Sequence, residues 1–324
     1  MKHKILITGI TGQDGVFLTE QLLSTKNNII FGTSREKVND EFYSKLRYLD
    51  KNLDLDRITI LNSNLLNHNE VKDLLKTISP DFIYNMSGPS SVYESLIDPK
   101  VEDTIYRIFK NIINGCIESD IFPNFFQSSS SEMFGLNKNQ LLDEAEEFIP
   151  NSPYAKAKLK IHEEMFDLRN FHDWNMSSGI MFNHESEFRG DNYLFMKIVN
   201  YVINIKKNTR PLTLGSLSLK RDWSYAKDIM EGAVIINESE ISDNYVLGSG
   251  NSYSIKQILE IVFDLFNYKW ENFVEINNTL LRNSDPMSRI ANIHKVESEH
   301  DWSPKTSVEI ILNRMVEYKL YLRN

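Results

Sequence analysis

The first twenty-three residues restrict this chain more than any other stretch. Ile5-Leu6-Ile7-Thr8 is a short apolar run, and it leads into Gly9, Gly12 and Gly15 at Gly-x-x-Gly-x-x-Gly spacing. Val16-Phe17-Leu18 through Leu22-Leu23 then reads as a helix. Strand, glycine turn and helix in that order form the context in which a glycine fingerprint holds a dinucleotide. Glycines let the backbone approach a pyrophosphate, and the helix N-terminus holds it through N–H groups and dipole.

The chain keeps to this alternation. Strand two, at 28–33, ends in Thr33-Ser34-Arg35-Glu36. Arg35 suits the extra phosphate of NADP, while Glu36 keeps NAD open. Further strands are expected at 58–61, 81–85, 124–127 and 178–182, with helices at 70–78 and 101–117. Asn64, followed by Leu65, is placed to meet an adenine edge, and the segment at Ser87 would pass beneath the cofactor. The pattern predicts an α/β fold: a doubly wound parallel sheet of Rossmann type over 1–182. A smaller mixed α/β part over 183–324 would carry the substrate, with segments near 215–250 returning to the first part.

Strand five delivers Gln127-Ser128-Ser129-Ser130-Ser131-Glu132 at its carboxyl end, where ligands of doubly wound sheets bind. Pro153 opens a helix carrying Tyr154 and Lys158, four apart and so on one face. An ammonium beside a phenol favours the phenolate, which gives a tyrosine able to exchange a proton near neutral pH. The serine hydroxyls serve the same substrate oxygen, and Glu132 offers a separate acid or base. Further on, Lys197, Arg221 and Arg282 are candidates for a cationic site that grips a diphosphate.

Composition narrows the partners. A net charge of −9 leaves no general cationic field for nucleic acid. One cysteine, Cys116, excludes an intrachain disulfide framework and a cysteine-based metal cluster. With no apolar run long enough for a bilayer and a strand at the very start, a cytoplasmic protein without a leader or membrane span is expected.

The chain resembles the extended short-chain dehydrogenase/reductase family and, within it, the GDP-mannose 4,6-dehydratase branch. The glycine motif and Tyr154-Ala-Lys-Ala-Lys158 carry the wider likeness. Ser129-Ser130-Ser131-Glu132-Met133-Phe134-Gly135 also matches, and Asn183-His184-Glu185-Ser186 with Lys220-Arg221-Asp222-Trp223 carry the narrower one. The resemblance implies a bound NADP, less readily NAD, regenerated at each turnover of a nucleotide sugar. Cofactor contacts are then expected at Gly9, Thr11, Gly12, Gln13, Asp14, Gly15, Arg35, Asn64, Leu65, Ser87, Tyr154 and Lys158. It implies that Tyr154 takes the C4 hydroxyl proton, assisted by Ser130 where the family has threonine. Lys158 assists Tyr154 and holds the nicotinamide ribose, and Glu132 removes the C5 proton and helps water leave C6. Substrate contacts follow at Asn183, Glu185, Arg189, Lys197, Arg221 and Arg282, and a homodimer or homotetramer is expected. The chain departs from the family pattern at 87–91, at Phe109 and at Met196. The alternatives are therefore a dehydratase of another GDP-sugar such as a heptose, an epimerase or reductase of the same superfamily, and a nucleotide binder without turnover.

Overall fold

The computed structural model of the chain describes residues 2–25, 27–36, 40–277, 279 and 288–323. β1 (Lys4–Thr8), β2 (Ile29–Ser34), β3 (Ile58–Asn62), β4 (Phe82–Asn85) and β5 (Asn124–Ser130) lie in one sheet with strands Met176–Met181 and Asn244–Leu247. From one edge the order is Asn244–Leu247, Met176–Met181, β5, β4, β1, β2, β3, and every neighbouring pair is parallel. The α/β class and parallel sheet inferred from the sequence are the ones observed.

The apolar runs explain the layering. Side chains alternate across a strand, so a strand apolar at successive positions must be covered on both faces. Ile5 and Ile7 pack into one layer and Leu6 into the other; Tyr84 and Phe126 join the first, Ile83 and Phe125 the second. Helix α1 (Gln13–Ser24) and helix Ala226–Glu238 cover the first face. Helices His68–Ile78, Lys100–Glu118 and Pro153–His172 cover the second.

Strand order reverses between β1 and β4, which opens a crevice at the carboxyl ends of the strands. β5 leaves the sheet there and tightens into a short 3-10 turn, Ser131–Phe134. Beyond residue 182 the chain builds smaller sheets near this end. Asn183–Glu185 pairs in parallel with Lys220–Tyr225, which pairs antiparallel with Ser252–Ser254. Ile290–Ala291 pairs with Leu141–Leu142. Asn244–Leu247, by contrast, returns to the large sheet beside Met176–Met181. Among the described residues no helix is long and apolar enough to cross a membrane.

Candidate active site

The glycine loop forms one wall of a cleft of about 540 Å³ at the switch point. Gly9 adopts φ +69°, a left-handed conformation that favours glycine. A Cβ on Gly15 would lie 2.4 Å from the Ile10 carbonyl oxygen, so only glycine lets α1 start this close to the loop. Gly12 caps α1 without a side-chain hydrogen bond, so no side chain fills the N-terminus of the helix. These features suit a pyrophosphate. The cleft continues past Thr11, Arg35, Glu36 and Lys45 on one side and Asn64, Leu65 and Ser87 on the other. Asn64 Oδ1 accepts from Leu66 N–H and Ser87 Oγ donates to Asn85 Oδ1, so both side chains are partly committed.

Gln13 and Asp14 behave differently from a simple cofactor contact. They line the cleft, but their side chains also reach across to the 183–186 segment. Gln13 Nε2 donates to the His184 carbonyl at 3.3 Å, and Ser186 Oγ donates to Gln13 Oε1 at 2.7 Å. His184 Nε2 lies 3.2 Å from Asp14 Oδ1, while its Nδ1 donates to the Phe182 carbonyl. Burial alone opposes both charges, but the pairing outweighs it: Asp14 is held below the usual carboxylate range and His184 above the usual imidazole range.

The end of β5 and the start of helix Pro153–His172 bring the catalytic candidates together. Ser152 caps that helix by accepting from Ala155 N–H, with Pro153 in its first turn. Tyr154 and Lys158 are consequently buried against the end of β5. Ser130 hydrogen-bonds the Tyr154 phenol and accepts from Glu132 N–H at 3.2 Å. Burial pushes the Tyr154 phenol up to about 12; Ser130 and Arg189 offset this in part, and Glu132 adds to it. The expected lowering by Lys158 is absent. Lys158 Nζ donates to the Ser128 carbonyl at 2.6 Å and lies 5.7 Å from the centre of the Tyr154 ring. Burial brings Lys158 itself down to about 8, with Asp14 acting the other way.

Arg189 sits on this cleft. Its guanidinium stacks 3.6 Å above the Tyr193 ring, and its Nε lies 3.4 Å from Glu185 Oε2. Glu185 is buried, which raises its carboxyl above the usual range against the pull of Arg189. Tyr193 Oη in turn lies 2.9 Å from Ser90 Oγ. Asn183 is half-buried, opposite Trp223 in the paired strands. The expected cation site can be followed only in part. Lys197 is exposed on helix Leu194–Ile203, Arg221 is half-buried and donates to the Lys220 carbonyl, and Arg282 lies outside the described residues.

Sequence reasoning missed Tyr193 and Arg289 at the site and gave Ser128 a hydroxyl role in place of its backbone one. Tyr193 packs under Arg189 from a loop whose composition gives no periodic signal. Ser128 receives Lys158 through its backbone carbonyl, which any residue could supply. Arg289 lies 3.5 Å from Glu132, 157 positions away in the chain, and no local pattern marks it.

A dinucleotide cradle with a Ser–Tyr–Lys cluster beside it, Lys158 within electrostatic reach of Asp14, is the signature of the extended short-chain dehydrogenase/reductase class. A model of the GDP-mannose 4,6-dehydratase family matches residues 6–315. The chain belongs to that family, whose named members are hydro-lyases. The relative GDP-mannose 4,6 dehydratase 2 of Arabidopsis thaliana is 30% identical over 328 residues, covering 98% of this chain and 87% of its own length. GDP-mannose 4,6-dehydratase of Vibrio cholerae is 30% identical over 268 residues, covering 80% of this chain and 71% of its own. Among solved structures, dTDP-glucose 4,6-dehydratase from Streptomyces venezuelae, with NAD bound, matches at TM-score 0.85 and 18% identity. That match covers 99% of this chain and 98% of the other. UDP-glucose 4-epimerase from Thermotoga maritima matches at TM-score 0.85 and 16% identity, covering 99% and 100%.

Proposed function

We propose that this chain is a nucleotide-sugar 4,6-dehydratase that converts GDP-mannose to its 4-keto-6-deoxy product, with NADP preferred over NAD. One observation carries the reading: a carboxylate, Glu132, stands beside the Ser130–Tyr154 pair. A simple reductase or epimerase uses the hydroxyl and phenol but has no work for this acid. The cradle from Gly9 to Gly15 fits a dinucleotide, with Arg35 at the rim for the extra phosphate of NADP and Asn64, Leu65 and Ser87 along its length. When bound there, a nicotinamide supplies a reversible hydride acceptor, so oxidation at C4 and reduction at C6 leave no net cofactor consumption.

The residues divide the remaining work. Ser130 hydrogen-bonds the C4 oxygen and Tyr154 takes its proton. Arg189 favours the ionised phenol electrostatically, a second role beside the substrate contact expected from its motif. Lys158 is assigned to the cofactor ribose. The ketone at C4 acidifies C5–H, which Glu132 removes as the C6 oxygen departs with a proton as water. Asn183, Glu185, Lys197, Arg221 and Arg282 are assigned to the nucleotide sugar. We assign residues 1–182 to the cofactor and 183–324 mainly to the substrate, and we expect a cytoplasmic homodimer or homotetramer. Incubation with GDP-mannose followed by mass spectrometry tests the reading. Loss of one water with no net cofactor reduction is expected; unchanged GDP-mannose moves the assignment to another GDP-sugar, and an intact panel of nucleotide sugars ends it.

A further inference from the structure

We infer that Arg289 is a positioning residue for Glu132, holding its carboxylate in place for the elimination step but not for the oxidation step. The inference rests on the dehydratase reading for its chemical meaning, though its geometry stands apart from it. Arg289 is 4% exposed. A guanidinium stays charged in a protein, and a buried charge persists only with a partner. Arg289 has two. Nη1 lies 3.5 Å from Glu132 Oε1, and Nη2 donates to the Gly135 carbonyl. It therefore grips the Ser131–Phe134 turn at both ends, by the side chain of its second residue and by the backbone just beyond it.

The grip is anchored from behind. The Arg289 carbonyl accepts from Asp222 N–H at 3.0 Å. The Asp222 carboxylate, wholly buried, accepts from Ala291 N–H, Ser249 N–H, Ser249 Oγ–H and Gly250 N–H. Ile290 N–H donates to the Gln140 carbonyl and Asn292 N–H to the Leu142 carbonyl. The aspartate of the Lys-Arg-Asp-Trp motif thus fixes the backbone from Arg289 to Ala291. The turn itself has little room to shift, because Gly135 has φ +48° and a Cβ there would lie 1.8 Å from the Ile149 carbonyl oxygen.

Glu132 is left with one oxygen tied and one available. Among the described residues no hydrogen bond engages Oε2, and the side chain keeps about a quarter of its exposure. In elimination the C5–H bond breaks as the proton passes to this carboxylate. The electron pair forms the C5–C6 double bond while the C6–O bond breaks, and the departing oxygen takes up the proton to leave as water. A displacement of about 1 Å in such a base costs on the order of 100-fold in rate. Oxidation at C4 depends on Ser130, Tyr154 and Lys158, and no described hydrogen bond or ion pair joins Arg289 to any of them.

The experiment compares the full-length parent, Arg289→Met, Arg289→Lys, Glu132→Gln, and the double variant Glu132→Gln with Arg289→Met. Single-turnover reactions with GDP-mannose are followed by the absorbance of reduced nicotinamide and by deuterium uptake from solvent at C5. Arg289→Met should reduce the nicotinamide at the parental rate, then exchange C5–H and form product about 100-fold more slowly. Arg289→Lys should recover part of the loss. Equal slowing of both half-reactions, or parental elimination in a folded Arg289→Met, overturns the inference. Amide hydrogen exchange of the ligand-free proteins gives an independent readout: Glu132 to Gly135 should exchange faster in Arg289→Met. If the parent itself leaves all nucleotide sugars intact, the dehydratase reading fails alone, and unchanged exchange in the turn then overturns the grip. If Arg289→Met does not fold, the double variant, which removes both charges, should; failure of both with normal folding of Glu132→Gln alone also overturns the pairing.

Discussion

Burial works against the ionisation of Lys158. Burial brings its ammonium from 10.5 to about 8, equivalent to about 3 kcal/mol of strain in the ligand-free protein at neutral pH. Because the folded value is depressed, the unfolded chain binds the extra proton between about 8 and 10.5, and stability from this group rises with pH across that window. Lys158→Met should therefore raise the melting temperature at pH 7 and lose that advantage toward pH 10, while abolishing activity. Paired thermal melts at both pH values check this, since other groups cancel in the difference. His184 has the opposite sign. Its folded value is raised, so its stabilisation is full below the unfolded imidazole value and is lost as pH rises through the folded one. His184→Gln should cost more stability at pH 5.5 than at pH 9, by melts in the same buffers. At this scale the sequence placed Tyr154 and Lys158 on one helix face but did not give their charge states. The Tyr154–Lys158 spacing is a local property of one helix, whereas the raised phenol and lowered ammonium depend on burial supplied by distant strands.

At the scale of elements, legibility followed periodicity. β1 to β5 and the helices at their crossovers were readable from apolar runs between glycine and polar breaks. Within the first 182 residues two helices were not, and the helices beyond residue 182 were not read either. Asp40–Leu49 buries only Phe42 and Leu46, too few to establish a period, and Val92–Ile97 is a six-residue helix whose one buried residue is Ser95. The Arg289 segment was unreadable for another reason: its strand, Ile290–Ala291, is two residues long and is held by pairing with Leu141–Leu142. α1 is the element whose position most depends on one residue. Gly15→Ala would push its first turn against the Ile10 carbonyl, and overpacking of this kind costs about 1–3 kcal/mol. The variant should unfold at lower denaturant and lose dinucleotide affinity by a larger factor than that loss of stability implies, as measured by titration of the folded protein.

The whole molecule offers its own test of cofactor choice. A ligand that binds only the folded state stabilises it by about 2.7 kcal/mol at roughly 100 times its Kd. NADP should raise the melting temperature more than NAD at equal concentration, and Arg35→Ala should narrow the gap. Light scattering should give a mass of two or four chains of 37.8 kDa. The arrangement also bears on how such proteins can be recombined. Gln13 and Asp14 belong by position to the glycine loop, yet their side chains are joined to His184 and Ser186. A hybrid gene crossing over between them, with a first half from one parent and a second from another, inherits half of a four-residue lock. Where the donor lacks matching partners, the seam will be unsound even though each parental half folds well in its own context. The heritable unit in this protein is the pair of loops, and a crossover that preserves function must carry residues 13–14 and 184–186 together.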